Sequence, residues 1–520
     1  MSASSFALGA GVSSGHSARR WWERPSAAVA AVLLSIVPLL WPTLPPLADL
    51  PGHMGSFHLA LAQSPALERY FGFHWTLIGN LGVDLLMLPL GHWFGVELGT
   101  RIAIAVIPAI TVAGMLWLAH EVHGRLPATA AFALPLAYCF PLQFGFVNYC
   151  LSAGLMLCGF ALWLRLGRQR RPVLRAVAFA AIAIVVWVAH AVGWAMLCLL
   201  CGIAELQRRR AARATWPRAL TQTFLAWLPL CSPLLLMATL AHHQSNSQVG
   251  AFFNVHNLAV WLVSMLRDRW KWFDVASTAL LFALVCVAAT RRAGLRFAPV
   301  LAWSGLALFA LFLVAPGTIN GSDYVNTRLA PYALAVLLLA IDTRSTSAVL
   351  QRRLAWGAAA FLVLRMAGAS ASFALYDRDW TRNLAALDHI PRGSAVASFT
   401  PAPAGARTWY STRQEHLCAM AIVRRDAFVN CEWDIDGLQL LQVKYAAAGH
   451  YSRDPSQMFY RPSPQDPSAT TLADRLQGFP RAAFDYLWLV GVPDEQRPRQ
   501  PDLQPVWSND DSALYRIQHR

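Results

Sequence analysis

Apolar stretches of about 15 to 25 residues recur along this chain, the length an α-helix needs to span bilayer hydrocarbon. That recurrence limits the fold before any motif is considered. Of the 520 residues, 56% are hydrophobic and only 14% are charged, which excludes an ordinary soluble enzyme of this size. The formal charge of +15 would suit a nucleic-acid partner, but the basic residues stand in short clusters between apolar blocks rather than along one face. They read as topology signals, and nucleic acid is not an expected partner.

Arg19, Arg20 and Arg24 precede the first apolar block, Pro25 to Trp41, so the positive-inside rule predicts a cytoplasmic N-terminus. The Ser/Gly/Ala-rich residues 1–24 read as disordered up to that block. Further Arg clusters at Arg165 to Arg175, Arg208 to Arg218, Arg291 to Arg296 and Arg344 to Arg353 mark the other cytoplasmic loops. Between them fall spans at Ile102–Ala119, Thr129–Gln143, Phe146–Leu164, a hairpin over Val173–Ala204, then Leu220–Leu240, Val275–Thr290, Pro299–Ala315, Leu329–Ile341 and Trp356–Phe373. The sum is about eleven crossings, with an external C-terminus. Trp75 to Val96 is apolar enough to be another span, but Asn80, Asp84 and its glycines place it as an interfacial or re-entrant part of a first external loop, residues 43–100.

The predicted architecture is thus a polytopic α-helical membrane domain over residues 25–375, followed by a small α/β soluble domain over 376–520, where charges, prolines and turn residues rise. Within the tail, Asp379–His389 reads as a helix, and Ser394–Phe399 and Phe484–Val490 as strands. The nine cysteines form no metal-like array. Cys418 and Cys431 fall together in the tail, where an oxidising compartment permits a disulfide; Cys139 and Cys150, flanking a short external turn, are a weaker second pair. Abundant Ala and Arg, with Lys271 and Lys444 the only lysines, fit a GC-rich bacterial genome; with the predicted topology, the expected setting is the bacterial inner membrane with a periplasmic C-terminal domain.

The most informative residues open the first external loop: Ala48-Asp49-Leu50-Pro51-Gly52-His53. A carboxylate at the membrane edge is costly unless hydrated, paired or set in a cavity. Asp49 can cap a short helix, with Pro51 in its first turn, or serve as a general base beside an acceptor hydroxyl. His53, four residues on, shares its helical face. His190, at the tip of the hairpin, reads as a cap.

This arrangement resembles the GT-C superfamily of membrane glycosyltransferases, which includes protein O-mannosyltransferases and the aminoarabinose transferases of lipid A. The resemblance covers the whole plan: a cytoplasmic N-terminus, a first span, a long external loop opened by an acidic residue, and an external C-terminal domain. The tail run from His416 to Val429, His-Leu-Cys-Ala-Met-Ala-Ile-Val-Arg-Arg-Asp-Ala-Phe-Val, also looks like bacterial membrane proteins on this plan. The position matching the family's catalytic acid is Asp49. Leu50 stands where the O-mannosyltransferases carry a second acid.

The resemblance implies sugar transfer from a polyprenyl-phosphate donor to a cell-envelope acceptor at the external face. Membrane lipid and lipid-linked sugar would be the partners, with the lipid-linked sugar serving as substrate; no cofactor is implied and a divalent metal stays open. Substrate-binding candidates are His53, Asp84, Arg267, Arg269, Lys271 and Arg328, the cations being placed to meet the phosphate. The competing reading for those cations is snorkelling to lipid headgroups. Asp434-Ile435-Asp436 has an Asp-x-Asp form but reads as a turn, and His242-His243 is too short to specify a metal. The alternatives to a transferase are a non-catalytic scaffold with an exported binding domain, and a transporter or lipid flippase.

Overall fold

A computed structural model describes residues 20–240, 249–319, 324–402, 409–435, 437–460 and 469–519. The early part of the N-terminal stretch, His242-His243, Ser322-Asp323 and Asp436 lie outside them. Seven helices are long and apolar enough to cross a membrane: Gly82–His123, Val147–Arg168, Pro172–Ala189, Ala191–Ala211, Trp216–Ala238, Lys271–Ala289 and a helix starting at Ala348. Shorter apolar helical segments lie at Pro25–Leu39, Ala130–Phe144, Pro299–Val314 and Asn326–Leu339. Together they occupy the places of the predicted crossings, so the chain is a multi-pass helical membrane protein. One segment departs from regular helix. Ala130–Phe144 breaks into two 3-10 turns and a five-residue helix, with Pro135 and Pro141 removing backbone donors along it.

The Trp75–Val96 segment forms an arm that folds back on the helix following it. Its helical part, from Gly82, runs to a break at Gly95, whose φ of 74° no ordinary helix adopts. Beyond the break the helix folds back so tightly that a Cβ on Gly99 would meet the Leu90 backbone at 2.9 Å. The arm buries Val83 and Met87 while Leu85, Leu88, Trp93 and Phe94 stay exposed, a two-faced pattern suited to a membrane interface. The span proper therefore starts at about Val96 instead of Ile102.

The two ends of the bundle differ. At one end the Arg clusters gather: Arg168 pairs with Glu121, Arg125 with Glu23, and Arg175, Arg208 and Arg209 with Glu205. Strand Arg296–Phe297 pairs there with Ile341–Asp342. At the other end the hairpin tip touches the first loop, through Leu81 N–H to Val188 O and Ala191 N–H to Gly79 O, each 2.8 Å. His190 caps the second helix of the hairpin, its Nδ1 accepting from Val192 N–H at 3.1 Å.

The C-terminal domain joins the first-loop end. Strand Phe71–Phe73 of the loop pairs antiparallel with Leu441–Val443, His58 bonds Asp426 at 2.9 Å, and Glu97 pairs with Arg424 at 2.7 Å. The helix from Ala348 runs unbroken through Tyr376 to Leu384, so membrane helix and tail share one rigid rod. Beyond it a mixed sheet orders strands Leu503–Ser508, Ala513–Ile517, Tyr486–Leu489, Ala395–Pro401 and Phe428–Val429, with Met458–Phe459 also on Ala395–Pro401. The two parallel central strands, Ala395–Pro401 and Tyr486–Leu489, are buried almost throughout, as expected where both faces of a sheet are covered. The Cys418–Cys431 disulfide is present, whereas Cys139 and Cys150 are free and buried.

Candidate active site

Asp49 stands at the N-cap position of helix Leu50–Leu61, yet its side chain makes no cap hydrogen bond. The helix is seated by Leu50, Met54 and Phe57, all buried, with Pro51 at a position where its missing N–H costs nothing. The backbone around Asp49 is held from across the bundle. Ala48 N–H donates to Gln143 O at 3.3 Å and Asp49 N–H to Phe144 O at 2.9 Å. Gly145 makes this approach feasible: its φ is +108°, and a Cβ there would lie 2.8 Å from Asp49 N. The predicted external turn Phe144–Asn148 is thus the bed on which Asp49 rests.

The C-terminal domain roofs the site. Trp433 lies with its ring 5.4 Å from His53 and 4.1 Å from His416. Two small residues of the loop helix admit this segment: a Cβ on Gly52 would come within 2.7 Å of Trp433, and one on Gly55 would strike the Glu432 carboxylate. His416 Nδ1 bonds Cys431 O at 2.8 Å, and the disulfide ties the same strip to Cys418. A cavity beneath the roof is lined by His53, Ser56, Asp84, Asn148, Glu432 and Trp433. Asn148 shapes its floor, donating to Asp84 Oδ2 and to Asn80 O, each at 2.8 Å, and accepting from Val83 N–H at 2.5 Å.

The electrostatics follow from enclosure. Burial, then the charges of Glu415 and Asp454, push the Asp49 carboxyl well above its usual range, while Arg328 pulls it back. Burial likewise raises Glu415, and raises Glu432 strongly with help from Asp454. His53 is pushed down to about 4 by burial and by His416; it is therefore neutral at ordinary pH. Among the described residues, no group of three or more His, Cys, Asp or Glu is disposed to hold a metal ion.

The predicted cations separate. Arg328 is buried, its guanidinium 4.4 Å over Phe146, its carbonyl receives the Tyr149 hydroxyl, and its charge acts on Asp49. Asp49 and Arg328 thus meet the same short turn, Asp49 through Phe144 O and Arg328 through the Phe146 ring. Arg267 instead donates to Trp409 O at 2.8 Å and lies over Phe140. Arg269 lies over Tyr410 at 4.5 Å and Tyr376 at 5.0 Å. Lys271 is exposed beside Trp272, as snorkelling requires. Beneath them a buried network joins domain to bundle: Arg365 to Asp274 and Arg413 to Asp268 at 2.8 Å each, Trp409 Nε1 to Asp274 at 2.8 Å, and Arg413 to Pro46 O at 2.6 Å.

Sequence reasoning missed Glu415, Glu432, Trp433, Gln143, Asn148 and the Arg365–Asp274 and Arg413–Asp268 pairs. One signal was on the page: the quoted run beginning at His416 adjoins Glu415 and contains Cys418. Asp434 accepts from Val443 N–H and pairs with Arg453, the structural use a turn would make of it.

Fold and site together define a polytopic membrane protein with an acid at the mouth of the first loop and a domain closing over it. Two solved structures share this plan: ArnT from Cupriavidus metallidurans in the apo state and the same protein bound to undecaprenyl phosphate. Each is 13% identical, with a TM-score of 0.50 over 94% of this chain and 97% of that one. No family model and no curated protein matches the sequence.

Proposed function

We propose that this protein is a glycosyltransferase that moves a sugar from a polyprenyl-phosphate donor to a cell-envelope acceptor at the external membrane face, with Asp49 as general base. The observation that carries the reading is the placement of Asp49 and Arg328 on one short turn, Phe144 to Phe146, with Trp433 of the C-terminal domain packed on the helix that Asp49 opens. The likeness to ArnT, one structure of which holds undecaprenyl phosphate, supports the donor class. The gathering of Arg clusters at the opposite end supports an external site under the positive-inside rule.

The chemistry asks little of the protein beyond placement and charge. An acceptor oxygen forms a bond to the anomeric carbon, the bond from that carbon to the phosphate oxygen breaks, and its electron pair leaves with the polyprenyl phosphate. The acceptor proton passes to Asp49, whose enclosure strengthens its hold on a proton. Arg328 sets positive charge where the phosphate departs. His53, neutral and against Trp433, and Asp84, bonded to Asn148, line the cavity that would receive the carbohydrate.

The test is transfer by purified, lipid-reconstituted protein supplied with polyprenyl-phosphate-linked sugars, compared with Asp49→Asn. Loss of a general base lowers such rates by about 10²- to 10⁴-fold. Undiminished transfer by the variant would remove Asp49 from the mechanism, and no transfer by wild type with any such donor would favour the scaffold reading.

A further inference from the structure

Leu50 follows Asp49 where the O-mannosyltransferases carry a second acid, and the other acids of the loop, Glu68, Asp84 and Glu97, come later along it. The structure brings another from a point far along the chain. Glu415 is 7% exposed, on a segment of the C-terminal domain fixed on either side. Arg413 bonds Pro46 O and Asp268; His416 bonds Cys431 O. Its charge acts on Asp49 across the domain boundary. One carboxylate oxygen, Oε1, receives the Ser411 hydroxyl at 3.2 Å. The other, Oε2, is buried with no hydrogen-bond partner among the described residues. Leaving a buried charged acceptor unsatisfied costs more than an ordinary hydrogen bond returns, so a buried carboxylate oxygen in this state calls for an explanation.

Resting on the transferase reading above, we propose that Glu415 is the second carboxylate of the active site, its Oε2 accepting a hydrogen bond from a hydroxyl of the carbohydrate bound against Asp49. A carbohydrate hydroxyl is the natural occupant: it donates, it carries no charge to repel the carboxylate, and a sugar offers several. The same placement makes Glu415 an electrostatic partner of Asp49, since a nearby negative charge makes a carboxylate hold its proton more firmly. Asp49 also feels Asp454 and Arg328; Glu415 feels His416 and Arg413. Glu432, neutral His53 and Asp84 line the cavity under the roof, with His416 and Asp454 beside it. The C-terminal domain is therefore part of the site, which is incomplete until the domain docks.

The experiment measures transfer against pH in the reconstituted full chain for wild type, Asp49→Asn, Glu415→Gln and Glu415→Asp. Glu415→Gln is expected to lower the rate by about 10- to 100-fold, the worth of a hydrogen bond to a charged group. It should also move the acid limb of the profile to lower pH, because Asp49 loses a raising neighbour. Glu415→Asp keeps the charge and should keep the limb while losing part of the rate. A purely structural role would lower the rate without moving the limb. Wild-type rate and limb in Glu415→Gln, with Asp49→Asn inactive, would overturn the role of Glu415 and leave that of Asp49 standing. Where Glu415→Gln fails to fold, a Glu415→Asp variant with undiminished rate would overturn it. No transfer by wild type would overturn the underlying reading and this role with it.

Discussion

Two pairs of carboxylates lie at the same end of the bundle, and they are treated in opposite ways. Asp268 and Asp274 each meet an arginine at 2.8 Å; Ser372 donates to the same Asp268 oxygen, Oδ1, and Trp409 to the other Asp274 oxygen, Oδ2. Asp49 makes no cap bond and Glu415 keeps an unpartnered oxygen. Both pairs are enclosed, so burial alone does not distinguish them. The difference is in what each is given. A buried acid with its own arginine is a joint, and the cost of desolvating it is offset locally. An acid enclosed without one is held ready for a partner that arrives from outside.

That contrast can be broken from either side. The largest expected effect on stability is at the paired acids. Arg413→Ala removes the arginine that meets Asp268 and leaves the Ser372 hydroxyl bond, and removing one member of such a pair costs about 3–5 kcal/mol. Thermal unfolding of the detergent-solubilised variant should fall accordingly, and the C-terminal domain should become protease-sensitive. Asp49→Asn should behave oppositely, unfolding at the wild-type temperature or above, because enclosure already disfavours its charged form. A stability loss at Asp49 equal to that at Arg413 would erase the distinction.

A smaller effect is expected at Gly145→Ala. The φ of +108° is strained for any L side chain, a cost of about 1–3 kcal/mol, and the new methyl would press on the Asp49 backbone. Transfer should therefore fall by more than the change in unfolding temperature accounts for. An unchanged rate would show that the bed under Asp49 does not position it.

The contrast also explains how much could be read in advance. The apolar segments, the arm at Trp75–Val96 and the central strands of the tail were legible because hydrophobic length and periodicity are local properties. Asp49 was legible as a candidate because it opens a loop at the membrane edge. Its neighbours were not. Glu415 and Trp433 reach the loop helix from more than 350 residues away, and nothing in a local pattern announces such a contact. Arg267, Arg269 and Arg328 looked alike as loop-edge cations. Only the packing shows that Phe140, Tyr376 and Trp409 engage the first two, while Arg328 acts on Asp49. Asp274 and Arg365 lie 91 residues apart, and no local pattern links them.

The most direct test of the central claim is a structure of the reconstituted protein with undecaprenyl phosphate, in which the lipid phosphate is located. The account predicts it beside Arg328 and Asp49. A phosphate seated instead at Arg267, Arg269 and Lys271, or at the arginine-rich opposite end, would contradict the account.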